Sequence, residues 1–241
     1  MILETHTEVV VLTGAGISAG SGIPTFRDQR GLWNQYRPEQ LATPQAFTKN
    51  PKLVWEFYNW RREIIAAARP NSAHLTLADM ERCIPHFALI TQNVDGLHED
   101  AGNLAVLEIH GSIWKMRCSV CDASWSDKQV PLPELPPRCS ACEELARPAV
   151  VWFGEALNPD KLDEAIRLAS QARLMLVVGT SALVQPAASL PAIAKAGGAY
   201  IVEINPQRTS ISEFADEIIQ ENATTALSSW WALHKPTSDI D

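Results

Sequence analysis

Four short apolar runs constrain the fold most: Val9 to Leu12, Phe87 to Ile90, Leu174 to Val178 and Tyr200 to Ile204. Each gives way to polar or glycine residues, in order TGAGISAGSGIP, TQN, GTS and NPQ. Runs of this length, bounded by turn signals and separated by helix-length segments, read as strands buried on both faces in a parallel sheet. The fold class is therefore α/β, a Rossmann-like parallel sheet. Ligands of such sheets gather at the carboxyl ends of the strands, and all four polar segments lie there.

With 241 residues, about 1.6 typical domain lengths, the chain has room for one main domain and a smaller insert. Two stretches break the α/β rhythm. Residues 32–77 include an expected helix from Leu53 to Ala68, and residues 114–148 hold four cysteines and the run PLPELPP. We expect one domain over 1–241, with a Rossmann-like lobe of about 1–31, 78–113 and 149–241. The small lobe then joins a helical module, 32–77, to a cysteine module, 114–148.

Composition excludes several classes. Hydrophobic residues make up 46% and charged residues 20%, which is ordinary for a globular chain and unlike a disordered one. Twenty basic against twenty-eight acidic residues leave a net charge of −8, which opposes binding to phosphate backbones or anionic membranes. Nucleic acid and membrane are not expected partners. The apolar stretches fall short of the roughly 18 residues of a membrane span. Glu4 and Glu8, but no Lys or Arg, precede Arg27, unlike a signal or transit peptide. A cytoplasmic monomer is expected.

Among the five cysteines, Cys118 and Cys121 are followed after 17 residues by Cys139 and Cys142. This CxxC…CxxC spacing suits one zinc ion held by four thiolates, a zinc ribbon. Four sulfurs leave no open position, so the metal is expected to be structural. A redox dithiol is the alternative. Cys83 stands apart and reads as a small buried hydrophobe.

Gly14, Gly16 and Ala19 satisfy GxGxx[GA], where small residues let backbone amides approach a pyrophosphate; a glycine turn that only shapes the backbone would look the same. No acidic ribose ligand follows a clear second strand, and Asn205, after YIVEI, is the better ribose candidate. TQNVDGLH sets Gln92, Asn93 and Asp95 at a strand's carboxyl end, as nucleotide contacts or as an Asx-rich turn. His110, in EIHGS, has the right chemistry for a general base near neutral pH; a hydrogen-bonded structural histidine is the other reading.

Taken in order, GAGISAGSGIPTFR, TQNVDGLH, EIHGS, the paired CxxC motifs, VVWFGE and VGTSALVQPAA resemble the sirtuin (Sir2) family of NAD-dependent protein-lysine deacylases. The resemblance spans nearly the whole chain and implies NAD as cofactor, one structural Zn2+ and acylated protein lysines as partners. It places NAD against Gly14, Ala15, Gly16, Ser18, Gly22 and Ile23 of the first loop, with Phe26 shielding the reactive ribose, Arg27 organising the loop, and Trp33 beyond. Gln92, Asn93, Val94 and Asp95 would follow, Asn93 and Asp95 holding the nicotinamide carboxamide and ordering water. Gly179, Thr180 and Ser181, then Asn205, Pro206 and Gln207, would face phosphate and ribose. Ala223 would meet the adenine, where many sirtuins have a Gly-rich turn and this chain has Glu221 to Thr224. Val151, Phe153, Gly154 and Glu155 match the segment that pairs with a substrate peptide as an added strand. The implied reaction has the acyl oxygen attack the ribose as nicotinamide leaves. His110 then activates a ribose hydroxyl, which attacks the resulting imidate, and water finally releases lysine and O-acyl-ADP-ribose.

The helix from Leu53 to Ala68 bears on which acyl group. At about 100° per residue, its apolar side chains cover an arc roughly 160° wide with Arg61 at the centre. Glu56, Asn59, Arg62 and Glu63 are expected on the solvent side. An arginine in an apolar stripe is costly unless it meets an anion, and Tyr58, one turn earlier, can converge with it on a carboxylate. The YxxR pair resembles that of class III sirtuins, which remove succinyl, malonyl and glutaryl groups. Ala42 matches the small residue that widens their acyl pocket, and Thr25 follows their pattern. A snorkelling Arg61 is the plain alternative. The functional alternatives are a plain deacetylase, a sirtuin-like ADP-ribosyltransferase, and a non-catalytic NAD-sensing zinc-ribbon module.

Overall fold

The computed structural model describes residues 7–25 and 38–236. Among them nine strands follow in chain order: β1 (Val9–Thr13), β2 (Phe87–Thr91), β3 (Val106–Glu108), β4 (Gly111–Cys118), β5 (Ser124–Ser126), β6 (Ala146–Val150), β7 (Leu174–Val178), β8 (Tyr200–Ile204) and β9 (Glu217–Ile219). Six form one sheet in the order β3-β2-β1-β7-β8-β9, parallel at every pairing. The four apolar runs are β1, β2, β7 and β8. The two edge strands, β3 and β9, have three residues each, too few for a pattern to stand out.

Because successive side chains of a strand point to opposite faces, β1 feeds two cores. Val9 and Val11 join Leu89, Leu174 and Leu176 under the helices Ser72–Cys83 and Ala223–His234, which contribute Leu77, Met80, Leu227 and Trp230. Val10 and Leu12 join Ile90, Met175, Val177 and Ile201 under the helices Pro159–Gln171 and Leu190–Ala196. Ala165 and Ala169 on one of these helices and Ala194 on the other are fully buried, small residues that let the helices lie close to the sheet. The chain leaves β1 for β2 on one side and reaches β7 on the other, which makes the β1 edge a topological switch point. Thr13 pairs with both Thr91 and Val178, and Val178 with Ile204, so the four carboxyl ends line one rim.

A third core is built where the helix Pro51–Ala67 packs on an antiparallel sheet of order β5-β4-β6. Val54, Trp55, Phe57, Tyr58 and Ile65 meet Ile113, Met116, Val150 and Trp152 there. Trp55 also donates through Nε1 to the Ala146 carbonyl at 2.8 Å. The helix starts where expected: Asn50 caps it by accepting from the Leu53 amide, and Pro51 occupies the first turn, where its missing N–H costs nothing.

Two expectations for this helix are corrected. Arg62, expected in solvent, is 0% exposed. It donates to the carbonyls of Ile113 (2.8 Å), Asp127 (2.8 Å) and Gln129 (3.0 Å) and to the Asp127 carboxylate (3.0 Å). Asn59 is buried as well and accepts from the Leu132 amide at 2.9 Å. Periodicity assumes one apolar neighbour and water opposite. This helix is covered on a second side by the irregular backbone of 127–132, whose unpaired carbonyls and amides need polar partners. The helix Ser72–Cys83 runs across the approximate limit expected near residue 77, and its Ala73, Leu77 and Met80 pack into the large-sheet core. Cys83 is half-buried at the edge of that core. Among the described residues no helix is long and apolar enough to cross a membrane.

Candidate active site

The rim is shaped first by glycines. The Gly14 amide donates to the Val178 carbonyl (3.0 Å) and the Gly16 amide to the Gly179 carbonyl (2.8 Å). A Cβ on Gly14 would stand 2.8 Å from the Thr180 backbone, and one on Gly16 2.7 Å from the Gly179 carbonyl oxygen. Gly179 itself has φ +62 and would press a Cβ to 2.4 Å from the Ile17 amide. Loops after β1 and β7 interleave so closely that only glycine fits. The Gly14 and Gly16 amides are thus committed to the end of β7 and the loop after it, and the helix behind them, Gly16–Ala19, is one turn long. Gly22 (φ +84) has open space around it, and Ile23 is buried. Thr224 touches Gly20, so Ala223, buried in the first turn of its helix, sits beside the first loop. Asn205 binds the Gln207 carbonyl (2.6 Å), and Pro206 and Gln207 are exposed at the end of β8. Ala15, Val94 and Ser181 are half-buried along the same rim. Phe26, Arg27 and Trp33 lie outside the described residues.

Behind the rim the expected polar residues converge. Ser18 Oγ donates to Asp95 Oδ2 at 2.8 Å, and Asn93 Nδ2 donates to Ser18 Oγ and to the Gly14 carbonyl, both at 3.2 Å. Burial raises the Asp95 pKa, against hydrogen bonds from Leu97 and Ser18 and the charge of Arg61. Gln92 Nε2 donates to Thr180 Oγ1 at 2.9 Å. The Gln92 carbonyl lies 3.0 Å from His110 Nδ1. A carbonyl only accepts, so Nδ1 carries the ring proton and Nε2 keeps the lone pair. Burial lowers the His110 pKa, so the ring is a neutral base at neutral pH.

Sequence reasoning missed His74 and His98, which are 0% and 1% exposed with ring centroids 5.0 Å apart. His98 Nε2 lies 3.0 Å from Thr13 Oγ1, which donates to Thr91 Oγ1, and His74 Nε2 lies 3.4 Å from Ser18 Oγ. Burial brings their pKa values down to about 4 for His74 and about 3 for His98, which keeps both neutral. The one available signal was position: His98 closes TQNVDGLH, and His74 stands third after the helix-capping Asn71, whose amide it accepts.

A second wall faces His110 from the small sheet. Val151 donates its amide to the His110 carbonyl (2.9 Å), and Phe153 donates its own to the Ala42 carbonyl (2.9 Å). Trp152 Nε1 donates to Tyr58 Oη at 2.9 Å, and Phe47 lies against the same indole at 5.3 Å. Burial pushes the Tyr58 hydroxyl up, so it stays a neutral phenol. Burial also lowers the pKa of Arg61, against Tyr58 and Asp95, which favour its charge. That sets Arg61 in electrostatic reach of both walls. Arg147, not singled out by sequence, grips Glu155 with two hydrogen bonds of 2.6 and 2.9 Å, and Arg117 adds one of 3.3 Å. Burial alone would raise Glu155, but these partners hold its carboxyl below the usual range. Phe153 and Gly154 (φ +87) are exposed beyond this clamp.

Sulfurs of Cys118, Cys121, Cys139 and Cys142 all lie within 4.8 Å of one another. Neighbouring pairs are 3.4 Å (Cys118–Cys142), 3.6 Å (Cys121–Cys142) and 3.7 Å (Cys121–Cys139) apart. Four thiolates about 2.3 Å from one tetrahedral zinc stand about 3.8 Å from each other. Amides of Val120 and Cys121 point at Cys118 Sγ, and that of Ala141 at Cys139 Sγ, which suits charged thiolates. The four cysteines are thus positioned to bind one zinc ion, and the set leaves no ligand position for a substrate.

Comparison with known proteins gives a consistent answer. An NAD-dependent protein deacylase of Aquifex aeolicus is 55% identical over 222 residues, covering 92% of this chain and 93% of its own. A crystal structure of a Sir2 homolog–NAD complex superposes with a TM-score of 0.89 at 48% identity, covering 93% and 88% of the two chains. A Sir2–p53 peptide–NAD+ structure reaches 0.83 at 35% identity, covering 93% and 92%. The Sir2 family model matches residues 14–186, which include the interleaved glycine loops, the Asn93, Asp95 and His110 cluster and the four cysteines: this chain belongs to the Sir2 family.

Proposed function

We propose that this chain removes acyl groups from protein lysines with NAD, yielding nicotinamide and O-acyl-ADP-ribose, and prefers acyl groups that end in a carboxylate, such as succinyl and malonyl. The observation that carries the preference is the pairing of Tyr58 and Arg61, one helical turn apart on the wall that also holds Ala42 and Trp152. Arg61 offers guanidinium N–H groups and Tyr58 a phenolic O–H, and neither is charged negatively, so a carboxylate suits them. The small Ala42 leaves room beside them.

The donor set on the first wall fits NAD: Asn93, Asp95 and Ser18 form a buried cluster with both donors and acceptors, matched to a carboxamide and a ribose. The glycine loop, Gln92, Thr180, Ser181, Asn205 and Ala223 would hold the rest of the dinucleotide. When bound, NAD supplies a ribose carbon that exchanges nicotinamide for the acyl oxygen. His110 keeps its Nδ1 proton on the Gln92 carbonyl and takes a ribose hydroxyl proton at Nε2. Asp95, held by Ser18 and Leu97, orders water near the ribose.

The substrate peptide runs beside Val151 to Glu155. Amides of Val151, Trp152, Phe153 and Glu155 are committed inside the protein, so the peptide is met by carbonyl oxygens and by Gly154. Recognition through the main chain tolerates many sequences. We place both substrates between the Rossmann-like lobe and the small lobe, with zinc outside the chemistry. The net charge of −8 supports a monomer acting without nucleic acid or membrane.

Turnover of succinyl-lysine and acetyl-lysine versions of one peptide, by wild type and Arg61→Met, tests the reading. Loss of charge-assisted bonds worth about 3 kcal/mol lowers kcat/KM for the succinyl peptide about 100-fold. Equal efficiency on both peptides, unchanged by the substitution, overturns the carboxylate preference. No nicotinamide release with either peptide overturns deacylation, and His110→Tyr with full activity removes the assigned base.

A further inference from the structure

Trp152 stands at the junction of the peptide segment and the acyl wall. Its indole N–H donates to Tyr58 Oη at 2.9 Å, and both residues are buried. Indole nitrogen can only donate, so Tyr58 accepts there and its own proton turns to another acceptor. The indole is held in turn. The Arg147 guanidinium lies 3.3 Å from its ring centroid and Phe47 5.3 Å away. Arg147 also binds the Val150 carbonyl at 3.1 Å and both Glu155 oxygens, and the Trp152 amide donates to Glu155 Oε2 at 2.8 Å.

We propose that Trp152 is a positioning residue for acyl selection: by occupying a lone pair of the Tyr58 hydroxyl, it makes Tyr58 a donor towards the acyl end. The inference rests on the carboxylate reading of Tyr58 and Arg61 given above. With Trp152 in place, the acyl end meets the guanidinium of Arg61, which cannot accept, and a hydroxyl whose acceptor side is taken. A carboxylate, with acceptors only, is satisfied. The isosteric carboxamide, with NH2 in place of one carboxylate oxygen, brings two donors into a donor-lined site and leaves them unpaired. Without the indole N–H, Tyr58 is free to accept as well as donate, and the carboxamide gains a partner. Trp152 acts through Tyr58 and need not touch the acyl group.

The test measures kcat and KM with NAD for one peptide carrying succinyl-lysine or its terminal carboxamide, using wild type, Arg61→Met, Trp152→Phe, Tyr58→Phe and the Trp152→Phe/Tyr58→Phe double variant. Phe keeps a ring against Arg147 and Phe47. Trp152→Phe is expected to lower the succinyl-over-carboxamide ratio of kcat/KM about 5-fold, mainly through KM. In the Tyr58→Phe background the same substitution is expected to leave the ratio unchanged. An equal change in both backgrounds, or none where Tyr58 is intact, overturns the proposal. If neither Tyr58→Phe nor Arg61→Met alters the ratio, the carboxylate reading falls and this inference with it. Should Trp152→Phe not fold, Arg147→Lys loosens the indole's support and gives the same test, with a smaller drop expected only where Tyr58 is intact.

Discussion

His74 and His98 make the stability of this protein depend on pH in a way that can be worked out. Both are buried and neutral, brought by burial to about 4 and about 3, against an ordinary value near 6.5 in an unfolded chain. Protonation therefore favours the unfolded state, and their contribution is fully present above about pH 6.5 and is lost as pH falls towards the folded values. Between pH 7.5 and 5.0 each histidine withdraws about 2 kcal/mol, since an unfolded imidazole is protonated about thirtyfold over neutral at the lower pH. Together they withdraw about 4 kcal/mol, a large part of a typical 5–15 kcal/mol stability. His98→Gln keeps a hydrogen-bonding amide near Thr13 but does not titrate, so it removes about half of that loss. Urea unfolding followed by tryptophan fluorescence from pH 7.5 to 5.0 measures it. Paired carboxylates such as Asp79 and Asp216 titrate alike in both proteins and cancel in the comparison. Wild type is expected to lose about 2 kcal/mol more than the variant over this window. Parallel pH slopes would refute the buried, neutral state of His98. The loss strikes the candidate site itself, because Thr13 ends β1 and Ser18, beside His74, holds Asp95.

Two further outcomes follow from the same geometry. Arg62→Met strands three carbonyls and the Asp127 carboxylate, and chemical denaturation should register a loss of about 3–5 kcal/mol; a loss below about 1 kcal/mol would mean that water replaces the guanidinium at no cost. Because burial lowers His110, the neutral base persists below the ordinary histidine range. The acid limb of kcat/KM should then centre below about pH 6.5, and a limb above about pH 7 in the pH–rate profile would contradict this assignment.

Much of the architecture was legible because it rests on local patterns. The four apolar runs matched strands to within one residue, and the helix expected over Leu53–Ala68 spans Pro51–Ala67. CxxC spacing was enough to mark the four sulfurs that come together, although the two pairs meet only because β4 pairs with β6. Less visible were features that need two distant segments. Periodicity put Arg62 in water because it sees one face of a helix and not the loop that covers another. The GxG pattern could not show that the hydrogens of Gly14 and Gly16 make room for the backbone at Gly179 and Thr180. His98 meets Thr13 across 85 positions, His74 meets Ser18 across 56, and Trp152 meets Tyr58 across 94.

The sequence by itself determined the buried strands, the rim where a ligand can bind, the four thiolates and the motifs of the Sir2 family. Each depends on burial, turn chemistry or spacing within a short stretch. Only the tertiary structure decided which amides of the glycine loop are already committed, which ring nitrogen of His110 can accept a proton, and what lies behind the Tyr58 hydroxyl. Those are properties of hydrogen-bond partners, and the partners meet only after the strands have taken their order in the sheet.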